Sequence, residues 1–185
     1  MKQLLSLLLC LSIIVPSMAK KEQRKQNVFP DGTPISEWFL QTKVVHPDSL
    51  GKKYDLSDYG IESNPHIVQT QKIQKIIDEA AANGGGVIYI PEGIYKSGSL
   101  FFKQGTHLYL SKGATLLGSE NIMDFPLLMT RIEGEYCKYF GALINADGLD
   151  TFTISGKGTI DGNGTPYWKA FRLRREWNPQ CTNKD

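Results

Sequence analysis

The sequence predicts an all-β solenoid, in which short coils of chain stack strand upon strand. Two stretches, residues 99–118 and 142–162, read as copies of one another, and each consists of a short apolar run, a glycine turn, an alternating strand and a second glycine turn. A third partial copy, residues 87–95, precedes the first copy by about one coil. No helical pattern separates these strands. Short strands that recur at a period of about 22 residues are typical of stacked coils.

The alternation within the copies indicates which side chains fill the coils. Alignment of the two copies places Leu108 and Leu110 on Phe152 and Ile154, with polar or amphipathic residues between them. Because alternate side chains of a strand point to opposite faces, we expect these four to point into the stack. Full burial of each contributes about 1.5–3 kcal/mol. The glycines are expected at corners, where other residues would need a costly positive φ.

The N-terminus predicts export. Residues 1–19 comprise Lys2, an apolar stretch and then small residues suited to signal peptidase, which is the pattern of a secretory signal peptide. The apolar stretch is too short to span a bilayer, and Cys10 lies inside it rather than after it, which argues against a lipid anchor. We therefore expect a secreted or periplasmic protein with no membrane association after signal removal.

Residues 20–53 are predicted to form an extended N-terminal segment. Its basic start, residues 20–26, has no interleaved aromatics, and the formal net charge of the 185-residue chain is only +2. A solvated tail is therefore favoured over a nucleic-acid partner. The next stretch, residues 29–59, contains Trp38, Phe39 and Tyr54, and we expect these aromatic side chains to pin it to the outside of a larger body.

A helix over about residues 65–82 is predicted before the first strands. Asn64 is a plausible N-cap with Pro65 at the first helical position, and three glycines at 84–86 end the helix. Its apolar stripe consists of Ile73, Ile76, Ile77, Ala80 and Ala81. A single amphipathic helix before a solenoid is expected to cover the open apolar end of the first coil; a partner-binding helix is the alternative.

Cysteine and histidine spacing indicates neither a disulfide framework nor a metal centre. Only Cys137 and Cys181 remain after signal removal, and whether they pair is left open. The three histidines are scattered, with no zinc-ligand spacing, and His107 is expected on the outer face of a strand. We therefore predict no metal and no cofactor.

The C-terminal stretch carries aromatic and basic residues but no expected capping helix or polar closing strand. These residues are Tyr167, Trp168, Phe171, Arg172, Arg174 and Arg175. They can pack on the outside of the coils, which is the favoured interpretation, or contact an anionic sugar chain by stacking and charge pairing. Because native solenoids cover their ends, we expect the sequence to be part of a longer chain.

Together these residues resemble glycoside hydrolase family 28, the polygalacturonase family of pectin-lyase-like proteins. The matching pieces are IIDEAAANGGG at 76–86, the glycine-rich strands of 87–119, Asp124-Phe125-Pro126, and INADGLDTFTISGKGTIDGNG at 144–164 followed by Tyr167-Trp168. The resemblance runs from about Tyr54 onward. It implies that residues 54–185 are the N-terminal part of a right-handed parallel β-helix domain.

The resemblance also implies a reaction and a substrate. Family 28 hydrolyses galacturonan or a related pectic chain with inversion, using a carboxylic acid and a carboxylate roughly 6.5–9.5 Å apart. The family takes these groups and its substrate contacts from Asn-Thr-Asp, Asp-Asp, Gly-His-Gly and Arg-Ile-Lys motifs, none of which occurs here. Arg131-Ile132-Glu133 has the wrong third residue. No catalytic residue is assigned, and we expect this stretch of chain to be inactive alone.

Three weaker motifs favour turns over chemistry. Asp147-Gly148 and Asp161-Gly162 can supply an acid pair on neighbouring coils, but Asp-Gly is a common turn dipeptide. Asn163-Gly164-Thr165 matches a glycosylation sequon and is also a turn. Residues 156–158, Gly-Lys-Gly, lack the third glycine of a dinucleotide loop and begin no helix, so phosphate binding is not expected.

Two rival functions remain open on the same fold. A polysaccharide lyase would need acidic calcium ligands, of which the sequence shows no cluster. A non-catalytic glycan-binding β-helix, such as an adhesin or a tailspike, would lack the paired Asp motif altogether. Endo or exo action, and homogalacturonan or rhamnogalacturonan as substrate, are not encoded in these residues.

Overall fold

A computed structural model describes residues 27–40 and 44–177, and the chain divides into two units at residue 42. The predicted signal peptide, the basic residues 20–26 and Cys181 lie outside the described residues. In the first unit, Val28 bridges Pro34, and a short 3-10 helix spans Glu37–Leu40. The rings of Trp38 and Phe39 stack on each other at 4.0 Å and stay largely exposed.

The second unit contains twelve described strands and two α-helices. The first strands and the first helix are β1 (Lys53–Asp55), β2 (Asn64–Val68), α1 (Thr70–Ala82), β3 (Gly86–Ile90), β4 (Gly93–Ser97) and β5 (Leu100–Phe101). The remaining elements are β6 (Thr106–Leu110), β7 (Ala114–Gly118), β8 (Leu127–Ile132), β9 (Glu135–Phe140), β10 (Ile144–Asn145), β11 (Ile154–Gly156), β12 (Thr159–Asp161) and α2 (Thr165–Trp177).

The strands form a right-handed parallel β-helix, which confirms the predicted fold. The first sheet has the order β1-β3-β6-β11, the second β2-β4-β7-β12 and the third β5-β10, all with parallel neighbours. Each coil contributes a strand to the first sheet and then one to the second. The third sheet completes the two central coils.

Coil length matches the predicted period in one coil only. Gly86 pairs with Thr106 and Gly93 with Ala114, so this coil is close to the expected length. In the next coil, Leu108 pairs directly with Ile154. The two sequence copies therefore lie on adjacent coils, and the predicted period of about 22 residues is wrong for this coil, which is about twice as long. The extra length is an antiparallel hairpin, formed by β8 and β9, that is inserted between β7 and β10.

The core is the predicted stack of inward side chains, with a corrected register. Leu108 is fully buried between Ile88 and Ile154, and Leu110 is buried below Ile90. Ile154, not Phe152, lies on Leu108, because the second copy is two residues longer before its strand than the alignment assumed. Ile154 is 46% exposed, since no described strand pairs with the far edge of β11.

Phe152 contributes to the core from a different position. Its ring contacts Phe102 at a centroid distance of 4.9 Å and it is half-buried. Tyr54, the third aromatic of the N-terminal stretch, is 1% exposed in strand β1 and belongs to the core, not to an outer attachment. The predicted inward orientation therefore holds fully for Leu108 and Leu110 and partly for Phe152 and Ile154.

Helix α1 begins at Thr70, so the predicted start at Pro65 is wrong. Asn64 and Pro65 belong to strand β2, which pairs with β4. The Asn64 side chain accepts hydrogen bonds from the backbone N–H groups of His66 and Ile67 at 2.8 and 3.2 Å, so it stabilises a local turn instead of a helix. Asn64 and Pro65 favour this turn as readily as a helix start.

The α1 helix covers the edge of β5, the first strand of the third sheet. Its buried residues are Ile73, Ile76, Ile77 and Ala80. The Gln74 amide donates to the carbonyl oxygen of Phe101 at 2.9 Å and accepts from the Phe101 N–H at 2.8 Å. These are the two backbone groups that a neighbouring strand would otherwise pair. One glutamine thus closes the edge of β5.

Aromatic and charged side chains line the outer face of the first sheet. Tyr89 and Tyr109 stack with a centroid distance of 5.4 Å and an interplanar angle of 9°, and Lys53 Nζ lies 4.6 Å above the Tyr89 ring. His107 is half-buried on the same outer face, as expected, and burial lowers its pKa. The outer face therefore repeats one side-chain type on consecutive coils, which stabilises the stack.

An ion pair between a buried lysine and an exposed glutamate ties the second sheet to the loop after β7. The Lys96 side chain is only 7% exposed, and its Nζ contacts both carboxylate oxygens of Glu120, at 2.8 and 3.0 Å. The hydrogen bond from Lys96 lowers the pKa of the Glu120 carboxyl below its ordinary value of 4.5. The sequence gives no signal for this pair, because the two residues lie on different elements.

This ion pair predicts an acid-dependent loss of stability. Because the pKa of Glu120 is lowered in the folded state, its contribution is present above pH 4.5 and is lost as the pH falls through the folded-state pKa. We expect the wild-type melting temperature to fall more steeply below about pH 5 than that of Glu120→Gln, with the two curves converging in acid. Circular dichroism melts between pH 3 and 7 measure this, with exposed Glu62→Gln as control. Parallel curves would contradict the ion pair.

Helix α2 was not expected from the sequence. It follows β12 directly, and Pro166 lies in its first turn, where the missing N–H is tolerated. None of the helices in the described ranges has the length and hydropathy that a bilayer span requires.

Candidate functional site

The two Asp-Gly dipeptides do not form a stacked acid pair. Asp161 ends strand β12 of the second sheet and lies opposite Leu117, whereas Asp147 follows β10 of the third sheet. Both side chains are exposed. The Asp161 carboxylate accepts a hydrogen bond from the Asn163 N–H at 2.8 Å, so it stabilises the turn after β12. The turn interpretation therefore accounts for Asp161.

The Asn163 amide joins two coils. Asn163 has a φ of 50°, and its Nδ2 donates to the carbonyl oxygen of Gly118 at 3.1 Å on the coil below. The same nitrogen would carry a glycan if the sequon were used. Because the amide is occupied and Asn163 is half-buried, the geometry favours the turn over glycosylation.

The Gly-Lys-Gly stretch is a close contact between coils. The N–H groups of Lys157 and Gly158 both donate to the Leu110 carbonyl oxygen, at 2.9 and 3.2 Å. A Cβ on Gly156 or Gly158 would overlap the chain around Leu110. These glycines therefore let the last described coil approach the one below, and the N–H groups of Lys157 and Gly158 are already used by the protein.

Tyr167 and Trp168 are adjacent in helix α2 but lie in different environments. The Tyr167 hydroxyl donates to the Ser119 carbonyl oxygen at 2.6 Å, and its ring meets Phe125 edge-on at 6.5 Å. Burial, followed by the nearby Asp124 and Glu120 carboxylates, raises the pKa of Tyr167. Tyr167 thus packs on the coils, which matches the favoured interpretation, and fixes the first turn of α2.

Trp168 lies on the solvent side of the helix instead. It is 64% exposed and lines a shallow pocket of about 430 Å³ together with Thr165, Lys169 and Arg172. For Trp168 the packing interpretation is wrong. An aromatic ring beside two cations can stack on a sugar ring and pair with a carboxylate. The side chains of Arg174 and Arg175 lie outside the part that the structure describes.

A second pocket, of about 500 Å³, lies at the start of α1. It is lined by residues 67–72 together with Met123 and Asp124. Its only carboxylate, that of Asp124, accepts a hydrogen bond from the Ser119 hydroxyl. Glycoside hydrolysis by a carboxylate pair needs two such groups, so the residues that line this pocket lack the second carboxylate for that reaction.

Metal-binding side chains are not clustered. Within residues 27–40 and 44–177, no three or more His, Cys, Asp or Glu residues come together in a way that would hold a metal ion. Cys137 is half-buried in β9 as a free thiol.

Comparison with known proteins places this β-helix in context. No protein-family model matches the sequence. The exo-poly-alpha-D-galacturonosidase of Dickeya chrysanthemi is 34% identical over 152 residues, which cover 78% of this chain and 24% of that protein. The plasmin and fibronectin-binding protein A of Streptococcus pneumoniae is 37% identical over 129 residues, covering 68% of this chain and 17% of that protein.

Solved structures share the fold and extend the similarity. The family 28 exopolygalacturonase of Yersinia enterocolitica is 33% identical, with a TM-score of 0.54, over 60% of this chain and 21% of that one. The resemblance to glycoside hydrolase family 28 is confirmed. The exopolygalacturonase of Thermotoga maritima, at 24% identity and a TM-score of 0.58, covers 68% of this chain and 28% of that one and shares the β-helix.

The similarity to family 28 concerns part of the relatives only. The chain spans about a quarter of the Dickeya protein and about a fifth of the Yersinia structure. The matched part supplies coils, a cap helix and outer surfaces.

Proposed function

We propose that the chain is the N-terminal portion of a secreted, pectin-degrading glycoside hydrolase of the polygalacturonase type. The observation that supports this most is the 34% identity to an exo-poly-alpha-D-galacturonosidase along 78% of the chain. Export is proposed from the signal-peptide pattern of residues 1–19. The substrate is galacturonan or a related pectic chain.

A parallel β-helix suits this chemistry because its stacked strands hold outward side chains at fixed distances from one another. Neighbouring strands lie about 4.8 Å apart, so outward side chains on successive coils are set at multiples of that distance. An inverting hydrolase needs its two carboxyl groups roughly 6.5–9.5 Å apart, to admit a water molecule. Outward carboxylates two coils apart, or diagonal neighbours on adjacent coils, meet this requirement. We propose that the pair lies on coils outside the described residues.

We propose that the described coils support the coils that carry the catalytic pair and add a substrate-binding surface beside them. The α1 helix covers the edge of β5, and the Trp168 pocket presents an aromatic ring and two cations near the last described coil. Such a surface suits a uronic acid, which offers an apolar sugar face and a carboxylate. We propose that it contacts the pectic chain at a distance from the reacting bond.

The experiment compares the 185-residue chain with a longer protein that is translated from the gene beyond the codon for Asp185. Each is incubated with polygalacturonate, and reducing ends are measured. We expect turnover by the longer protein, with inverted anomeric configuration of the product by NMR, and no turnover by the 185-residue chain. Turnover by the short chain would overturn the proposed absence of a catalytic pair from it.

The rival functions give different products in the same experiment. A lyase would release an unsaturated product that absorbs in the near ultraviolet, without water entering the bond. A glycan-binding β-helix would bind polygalacturonate without new reducing ends from either protein. Either outcome would replace the hydrolase proposal.

A further inference from the structure

The hairpin of β8 and β9 is a built feature of the fold rather than a loose loop. Its strands pair in register from Leu127 and Phe140 to Ile132 and Glu135. Glu133 and Gly134 form the two-residue turn with φ values of 52° and 95°, the positive values of the turn that matches strand twist. The Gly141 N–H donates to the Pro126 carbonyl oxygen at 2.8 Å and extends the ladder to the base.

The two faces of this hairpin differ in exposure. Residues directly opposite each other point to the same side, so one face holds Leu127, Met129, Arg131, Tyr136, Lys138 and Phe140. All six of these side chains are exposed. On the other face, Leu128, Ile132 and Cys137 are half-buried, whereas Thr130, Glu135 and Tyr139 are exposed. A Cβ on Gly141 would lie 3.2 Å from Leu128 Cδ1 and 2.9 Å from Ser99 Oγ, so that second face is turned towards the coils.

The charges are also divided between the faces. Arg131 and Lys138 are the ionisable cations of the exposed face, whereas Glu133 lies in the turn and Glu135 on the inner face. Tyr136, which is 80% exposed, lies directly opposite Arg131 and two residues from Lys138 along its own strand. The Arg131 Nε donates to the Gly134 carbonyl oxygen at 3.2 Å, which holds the guanidinium beside the turn.

We propose that the exposed face of this hairpin binds an acidic polysaccharide, with a uronate ring stacked on Tyr136 and its carboxylate paired with Arg131 or Lys138. The inference rests on the proposed pectic substrate and on charge complementarity, since an exposed ring between two cations fits a repeating sugar acid. The exposed apolar side chains of Met129 and Leu127 extend the contact along the C–H faces of the sugar chain. The hairpin is then a second contact for the polymer, separate from the Trp168 pocket.

The test measures binding of the 185-residue chain to polygalacturonate and to its carboxyl-reduced, neutral form by isothermal titration calorimetry. We expect binding to the acidic polymer only, weakening with salt. Tyr136→Ala should weaken it about fivefold. The double variant Arg131→Gln/Lys138→Gln should weaken it about tenfold. Lys138→Gln alone should weaken it about threefold, and leaves the Arg131–Gly134 hydrogen bond in place.

Matched controls lie on the inner face of the same hairpin. Tyr139→Ala removes an equivalent ring and should leave affinity unchanged, and Glu135→Gln should change it by less than about twofold if position, not net charge, decides. Unchanged binding in Tyr136→Ala and Lys138→Gln, an equal loss in Tyr139→Ala, or no binding by the wild-type chain would overturn the inference. So would self-association through this face, seen as a doubled mass that Tyr136→Ala abolishes.

The hydrolase proposal fails on a different readout. Reducing ends and product configuration from the longer protein decide that reaction, whereas the hairpin is judged by affinity alone. A hydrolase whose hairpin variants bind polygalacturonate normally would contradict only the hairpin inference. Selective binding of polygalacturonate without hydrolysis would support the hairpin and contradict the hydrolase.

Discussion

Replacement of Leu108 by alanine is expected to lower the free energy of unfolding by about 3 kcal/mol, within the 2–5 kcal/mol typical of such core truncations. Leu108 is 0% exposed and is enclosed by Ile88 on one coil and Ile154 on the next. Neither neighbour can move to fill the space, because each is fixed in its own strand ladder. The melting temperature should therefore fall by about 6–12 °C.

The control for this substitution is Ile154→Ala in the same inward column. Ile154 is 46% exposed, because it has a stacked neighbour on one side only among the described residues. We expect it to cost less than about 1.5 kcal/mol, since roughly half of its apolar area is already in water. Urea unfolding followed by circular dichroism measures both variants. Equal losses would contradict the stacked arrangement, in which central coils bury more than the last one.

Replacement of Gly156 by alanine is expected to cost about 2–4 kcal/mol and to detach strand β11 from β6. Gly156 has a φ of 110°, which L-residues rarely adopt, and an added Cβ would lie 2.7 and 2.8 Å from the backbone carbon and nitrogen of Leu110. The backbone of one coil must therefore shift. The hydrogen bonds from Lys157 and Gly158 to Leu110 depend on this approach.

Gly148→Ala is the matched control for Gly156→Ala. Gly148 also has a positive φ, of 63°, but nothing lies within 4 Å of an added Cβ. Its cost should be about 1 kcal/mol, from backbone strain alone. Thermal melts of the two variants give the comparison. A Gly156→Ala protein as stable as Gly148→Ala would mean that the two coils do not touch at Leu110.

The sequence predicted the parts of the fold that repeat. The alternation around Leu108 and Leu110 depends only on strand geometry, and the stripe from Ile73 to Ala80 only on helix geometry, so both were confirmed. The resemblance to family 28 was likewise visible, because its glycine turns and strands are contiguous in the chain.

Features that depend on one coil meeting another were not predictable. The hairpin of β8 and β9 was hidden because its length, added to one coil, mimics two coils of the predicted period. The alignment therefore also placed Phe152, instead of Ile154, opposite Leu108. Asn64 and Pro65 look like a helix start, but pairing of β2 with β4 prevails over the local preference. No sequence pattern predicts the ion pair between Lys96 and Glu120, because the two residues lie on different elements.

Of the two exposed surfaces proposed to contact sugars, the sequence indicated one and missed the other. The aromatic and basic composition of residues 167–175 suggested both packing and sugar contact, and the helix resolves this by assigning Tyr167 to the first and exposing Trp168. The exposed hairpin face was missed, since Tyr136 and Arg131 become neighbours only through strand pairing. A search for turn residues such as Glu133-Gly134 between two short apolar stretches is the signal that would have found it.

Native-state hydrogen exchange of the 185-residue chain, read at single amides by NMR, tests the stacked β-helix most directly. Strand β6 is paired on both sides, by β3 and β11, and should exchange slowest together with β3. The hairpin of β8 and β9 and the far edge of β12 should exchange much faster, because each lacks a second neighbouring strand in the described chain. Equal protection in β6 and the hairpin, or fast exchange at Leu108 and Leu110, would contradict the architecture on which every inference about this protein rests.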